Sequence, residues 1–247
     1  MRTHTIAVYV ASGLLVFASS SLSAKGWNGT AEFGLAITTG NSDSQTINGK
    51  FAFKRESNRW LSDLNAAALR AKADDDLSAN RYELGAKVGY LFTERLYSFG
   101  SLRYENDDFA SYDWQTVASV GAGYRFIDND ATTLVGEIGP GVRRWQPVAE
   151  LRGTPPVLAQ FDTENDAVVR GTFDLQHQLT ANTTLSNLLL AESGGGSTFL
   201  QNDLGVTVQM SERFALKAGY QVRHTNDVPV GLKKTDQLFT TNLVVAF

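Results

Sequence analysis

Phe239-Thr240-Thr241-Asn242-Leu243-Val244-Val245-Ala246-Phe247 ends the sequence, with Phe239, Thr241, Leu243, Val245 and Phe247 on one parity. A period of two belongs to an extended strand, whose successive side chains point to opposite faces. The same period runs back through the chain. Leu204, Val206, Val208, Leu216, Ala218 and Tyr220 alternate with Asp203, Gly205, Lys217 and Gly219. Tyr82, Leu84, Ala86, Val88, Tyr90 and Phe92 oppose Glu83, Gly85, Lys87 and Gly89, and Trp27 to Thr38 repeats the pattern.

The alternation predicts strands over 27–39, 45–55, 60–72, 80–92, 97–107, 113–126, 132–146, 167–179, 184–192, 199–210, 214–224 and 236–247. Most exceed the 5–6 residues common in globular sheets and match the ~9–11 that cross a bilayer. Asn58-Arg59, Thr93 to Arg95, Asp128 to Asp130, Thr180 to Asn182 and Ser211 to Arg213 read as tight turns. Loops 73–79, 147–166, 193–198 and 225–235 read as longer and fall on the other side. Glycines 34, 85, 89, 121, 123, 139, 141, 205 and 219 sit on the polar face, where small side chains let a modest barrel close. The predicted fold is an all-β closed antiparallel transmembrane barrel of about 12 strands, with short periplasmic turns, longer external loops and both termini periplasmic. The apolar set just named should face lipid and its polar partners the interior. The last strand should pair with the first, and Phe247 should lie at the membrane boundary.

Residues 1–24 read as a signal peptide: Arg2, then an apolar run from Ile6 to Phe17, then small residues to Ala24. Cleavage after Ala24 leaves the barrel as residues 25–247; cleavage after Ser23 is the rival. No later run approaches the ~18 uncharged apolar residues of a membrane helix, which excludes a helical membrane protein. With 0 cysteines, disulfides, thiolate zinc sites and cysteine nucleophiles are excluded. A net charge of −4 gives no basic excess, so no nucleic-acid partner is expected.

Gly40-Asn41-Ser42 after the opening strand, Gly121-Ala122-Gly123-Tyr124-Arg125, and Gly139-Pro140-Gly141-Val142-Arg143 carry a resemblance. In order and spacing they resemble the domain-of-unknown-function family typified by salt-induced outer-membrane proteins of Gram-negative bacteria. The resemblance covers about residues 27–247. It implies an outer-membrane barrel of the cell envelope and brings no substrate and no catalytic residues. The terminal strand ending in Phe247 also resembles the signal read by the barrel-assembly machinery. That machinery and outer-membrane lipid are the partners it implies.

The polar face is rich in charge of both signs: Glu32, Lys50, Lys54, Glu83, Lys87, Arg103, Glu105, Arg125, Glu137, Arg143, Arg170, Asp174, Asp203, Lys217 and Arg223. Such a lining either selects small solutes in a polar pore or pairs across the bore and fills it. If a path exists, Arg125, Arg143 and Arg170 should set its anion preference against Glu83, Glu105, Glu137 and Asp174. A barrel of about 12 strands is narrower than the 16–18-stranded porins that hold water-filled channels. A narrow porin-like channel and a structural barrel both stay open as readings. A membrane-embedded lipid hydrolase is a distant third, because His177 and His224 fall on the apolar parity and His177 lacks a following His-x-Ser pattern. No enzyme activity, metal or cofactor is expected. Asp74-Asp75-Asp76 reads as a solvated acidic loop and Gly194-Gly195-Gly196 as a flexible one. Trp27, Trp60, Tyr90, Tyr97, Tyr124, Phe126 and Phe214 read as an aromatic girdle on the turn side.

Overall fold

The computed structural model describes residues 27–38, 43–74, 76–152, 157–159, 161–228 and 233–247. The expected leader at 1–24, the Gly40-Asn41-Ser42 motif, Asp75 and the center of the proline-rich loop lie outside these residues. The described strands are β1 (Trp27–Thr38), β2 (Ser44–Ser57), β3 (Trp60–Ala73), β4 (Asp76–Leu91), β5 (Leu96–Asp107), β6 (Tyr112–Asp128), β7 (Thr132–Pro147), β8 (Glu150–Arg152), β9 (Val157–Ala159), β10 (Glu164–Thr180), β11 (Thr183–Gly194), β12 (Ser197–Gln209), β13 (Phe214–Thr225) and β14 (Thr235–Ala246). All but β8 and β9 form one closed antiparallel barrel in the order β1-β14-β13-β12-β11-β10-β7-β6-β5-β4-β3-β2. That makes twelve strands, the number expected. β8 and β9 pair only with each other and add a small hairpin to the predicted loop at 147–166.

Alternation sets the faces. Phe33, Leu35, Leu84, Val120, Ile138, Val169 and Leu204 all point outward and are exposed. Leu204, Val206, Val208 and Leu216 are exposed, whereas Gly205 is buried and Lys217 reaches inward to Glu32. A slip of one residue would reverse every face, so the expected register holds along β12 and β13. β14 closes the barrel on β1, with Thr30 opposite Ala246 and Gly34 opposite Asn242. Gly29 and Phe247 exchange backbone hydrogen bonds of 2.8 and 3.0 Å.

Two expected loops are corrected. Loop 73–79 shrinks to residues 74–75, because β4 begins at Asp76 and β3 runs to Ala73. Loop 193–198 shrinks to Gly195 and Gly196, whose φ angles of 63° and 80° suit the tight hairpin turn that needs positive φ at both central residues. Charged and glycine-rich stretches at a sheet rim look like loops in sequence, yet the ladder continues through them. The loop end therefore carries long connections mainly at 148–163 and 226–234.

The aromatic reading is corrected at Tyr97. It is 3% exposed and points inward, its ring filling the space a Cβ on Gly123 would need. The other aromatics form an outward band at the turn end. Trp60 meets Tyr90 edge to face at 5.2 Å, Tyr90 meets Phe92 at 5.6 Å, and Tyr124 meets Phe126 at 5.2 Å.

Candidate functional site in the barrel interior

Glu105, Glu192 and Arg223 each sit two residues short of the loop end of their strands, β5, β11 and β13. In the twelve-strand order β5 and β13 lie six strands apart by either route, so they face each other across the bore. Glu105 is 0% exposed. Arg103 Nη1 donates to its Oε2 at 2.5 Å, Gln115 Nε2 donates to the same oxygen at 3.2 Å, and Arg223 Nη2 reaches Oε1 from the opposite wall. Arg223 Nη1 also donates to Asp107 at 3.1 Å. The second guanidinium nitrogen of Arg103 donates to Glu192.

The pairing continues down the wall. Arg170 lies 3.6 Å from Glu192 and 3.7 Å from Glu137. Lys87 bonds Glu137 at 2.5 Å and Asp63 at 3.1 Å. Tyr97 donates its hydroxyl to Glu137 at 2.7 Å. Asp107, Arg223, Glu105, Arg103, Glu192, Arg170, Glu137, Lys87 and Asp63 thus form one unbroken chain of alternating sign. A buried charge is stable only when partnered, and this order gives each interior member two opposite neighbors. Arg103 and Arg223 also stand over the Phe199 ring, at 5.5 and 5.0 Å from its centroid.

Other pairs lie apart from this chain, and the first of them crosses the bore. Lys54 on β2 lies 3.9 Å from Asp174 on β10, six strands away. Lys50 lies 3.7 Å from Asp203, and Lys217 bonds Glu32 at 2.7 Å. Arg125 bonds Glu56 at 2.7 Å at the turn end. Arg143 bonds Asp166 at 2.7 Å near the loop end, beside Trp145. Glu83 lies opposite Glu105 in the β4–β5 ladder. The predicted charges therefore all face the interior, and apart from Glu83 they divide between the chain and separate bridges.

Sequence reading missed Arg81, Asp107, Glu192, Asp63 and the pair Asn48–Asn242. All lie on inward parity, so periodicity could have found them once strand ends were known. Arg81 Nη2 donates to Gln221 at 2.6 Å, another contact between well-separated strands. Asn48 Nδ2 donates to Asn242 Oδ1 at 3.1 Å across Gly34, where any Cβ would collide with both side chains. Above the charged layer, Tyr112, Gln115, Arg143, Trp145, Phe161 and Phe199 help line a cavity of about 290 Å³. His177 and His224 face outward and share hydrogen bonds of 2.8 Å with Thr132 and Thr235. Asp74 turns at φ 50°, and its carboxylate accepts the Asp43 N–H at 3.0 Å.

Comparison with known proteins agrees with this architecture. The model of a family described as "Protein of unknown function, DUF481" matches residues 31–247. The uncharacterized protein YdiY of Escherichia coli (strain K12) is 23% identical over 220 residues, covering 89% of this chain and 82% of YdiY. Among solved structures, the translocator domain of autotransporter NalP from Neisseria meningitidis superposes with a TM-score of 0.50 at 13% identity, covering 92% of this chain and 90% of that one. The NanC porin does so with a TM-score of 0.50 at 9% identity, covering 89% and 97%. At such identities the likeness is one of fold, that of outer-membrane barrels.

Proposed function

The chain belongs to the DUF481 family of proteins of unknown function, and from that premise and the interior geometry we propose an outer-membrane barrel whose narrow ion path is held shut by ion pairs. The tight turns and both termini face the periplasm, and the outward apolar band faces lipid. Glu105 carries the reading: a carboxylate without solvent exposure, gripped by an arginine from the diametrically opposite strand. A side-chain bridge at that point occupies the bore.

One feature favors a gate over a permanent filling. Arg103 Nε and Arg223 Nε are buried without a hydrogen-bond partner among the described residues, and Arg170 Nη1 and Glu192 Oε1 have only ion-pair neighbors, at 3.7 and 3.6 Å. Unsatisfied polar atoms raise the free energy of the closed state, and a hydrated open state relieves them. No catalytic role is proposed.

Planar-bilayer recording of the purified barrel tests this. The wild type should stay closed most of the time, with brief small steps, and Glu105→Gln should raise the open fraction. A steady open level in the wild type would show that the bridge does not block the bore. Silence in wild type, Glu105→Gln and Arg223→Gln alike would leave a purely structural barrel.

A further inference from the structure

The closing seam is short. β1 and β14 share five register pairs, from Thr30↔Ala246 to Gly34↔Asn242. Neighboring strands elsewhere in the barrel share at least eleven, as β12 and β13 do. Beyond Gly34, Leu35 to Thr38 and Leu238 to Thr241 would face one another in the same register, but among the described residues they pair only with β2 and β13 respectively. The gap lies in the half of the barrel toward the loop end. Strand edges left open inside a bilayer are costly, because lipid cannot replace the missing hydrogen bonds.

The ladder stops at a latch. Asn48 and Asn242 bond over Gly34 at the last paired position, and Asn242 is 1% exposed. The latch ties β2 to β14 across β1, so the seam below it is held and the seam above it is not. From Gly34 to Leu238 the lips of the gap are uncharged, and Asp236 lies further toward the loop end. Ala36, Thr46, Leu238 and Thr240 share the inward parity there, whereas the ion-paired chain runs from Arg223 on β13, nearer the loop end, to the opposite wall at Glu105. On the outside Phe239 is 76% exposed and stacks on Tyr220 at 4.3 Å. An apolar chain can cross such lips without stripping water from a charge.

We propose that the β1–β14 gap is a lateral portal through which the acyl chain of a membrane amphiphile reaches the barrel interior from the outer leaflet. This rests on the outer-membrane reading but not on conductance, so a silent barrel leaves it standing. The absence of native cysteine allows a direct test in vesicles containing a phospholipid with a doxyl-labelled chain. A fluorophore is attached to Thr240→Cys at the gap, to Ala67→Cys on the inward face of β3, or to Val206→Cys on the outer face. The labels at Val206→Cys and Thr240→Cys should lose most of their emission, and the label at Ala67→Cys should keep it. Equal emission at Thr240→Cys and Ala67→Cys would overturn the portal. No quenching at Val206→Cys would overturn the membrane reading and the portal with it. Adding Asn48→Ala to Thr240→Cys should deepen the loss; an unchanged signal would overturn the latch.

Discussion

The Arg223–Glu105 bridge gives the most exacting energetic test. Glu105→Gln keeps the shape of the side chain and removes its charge. Removing one partner of a buried ion pair costs about 3–5 kcal/mol, because the other charge stays buried without compensation. The low end applies here, since Arg223 keeps Asp107 at 3.1 Å and Arg103 keeps Glu192. Each single variant, Glu105→Gln or Arg223→Gln, should therefore lose about 3 kcal/mol. The double variant leaves no isolated charge at the bridge and should lose about 4 kcal/mol, a coupling of about 2 kcal/mol within the range for residues in one ion-pair network. Reversible urea unfolding of the reconstituted barrel, run on all four proteins, measures the cycle. If the singles cost under about 1 kcal/mol each and add within about 0.5 kcal/mol, the two side chains do not meet in the bilayer-embedded protein.

Three further outcomes follow from the same geometry. Val206→Arg on the outer face should cost about 2–4 kcal/mol, whereas inward Thr207→Arg should cost far less; urea unfolding distinguishes them, and the reverse order would mean the faces are swapped. Phe247→Asp should lower the fraction of protein recovered in outer membranes, because it puts a charge on the apolar terminal strand and removes the ring packed edge to face on Phe53 at 5.6 Å; undiminished recovery would exclude a role for Phe247 in assembly. Gly34→Val should slow barrel closure, followed by gel mobility during refolding, since its Cβ would lie 2.1 Å from Asn242 Oδ1; wild-type refolding would show that the latch forms without that space.

Twelve strands and their faces were legible because a half-buried strand in lipid has a strict period of two and little freedom to shift. Leu204, Val206 and Leu216 announce their face by composition alone. Strand ends were less legible. Asp76 to Ala79, Gly194 and Ser197 lie in stretches with the polarity of loops, yet they are rungs of a ladder that rises past the apolar band. Tyr97 misled for a related reason. Its place near the turn end suits an interfacial aromatic, and only its parity with Phe99 and Arg103 shows that it turns inward onto Glu137.

The interior was legible as a set of charges and illegible as a set of partners. Parity says that Glu105 and Arg223 both face the bore, but a barrel has many inward charges of each sign. Pairing needs two more quantities: how far around the wall, and how far along it. The first follows from strand number alone, because in a ring of twelve the strands six apart are opposite. The second depends on the stagger of neighboring strands, which accumulates around the barrel and has no local sequence signature. An error of two residues at one strand end shifts an inward side chain to the next inward position, about 6.6 Å along the strand, and breaks any predicted bridge. The same dependence explains the seam. The stagger that lines up Glu105 with Arg223 also decides where β1 meets β14. Strand closure and bore closure are then two readings of one shear, so a substitution that lengthens the seam should also move the ion pairs across the bore.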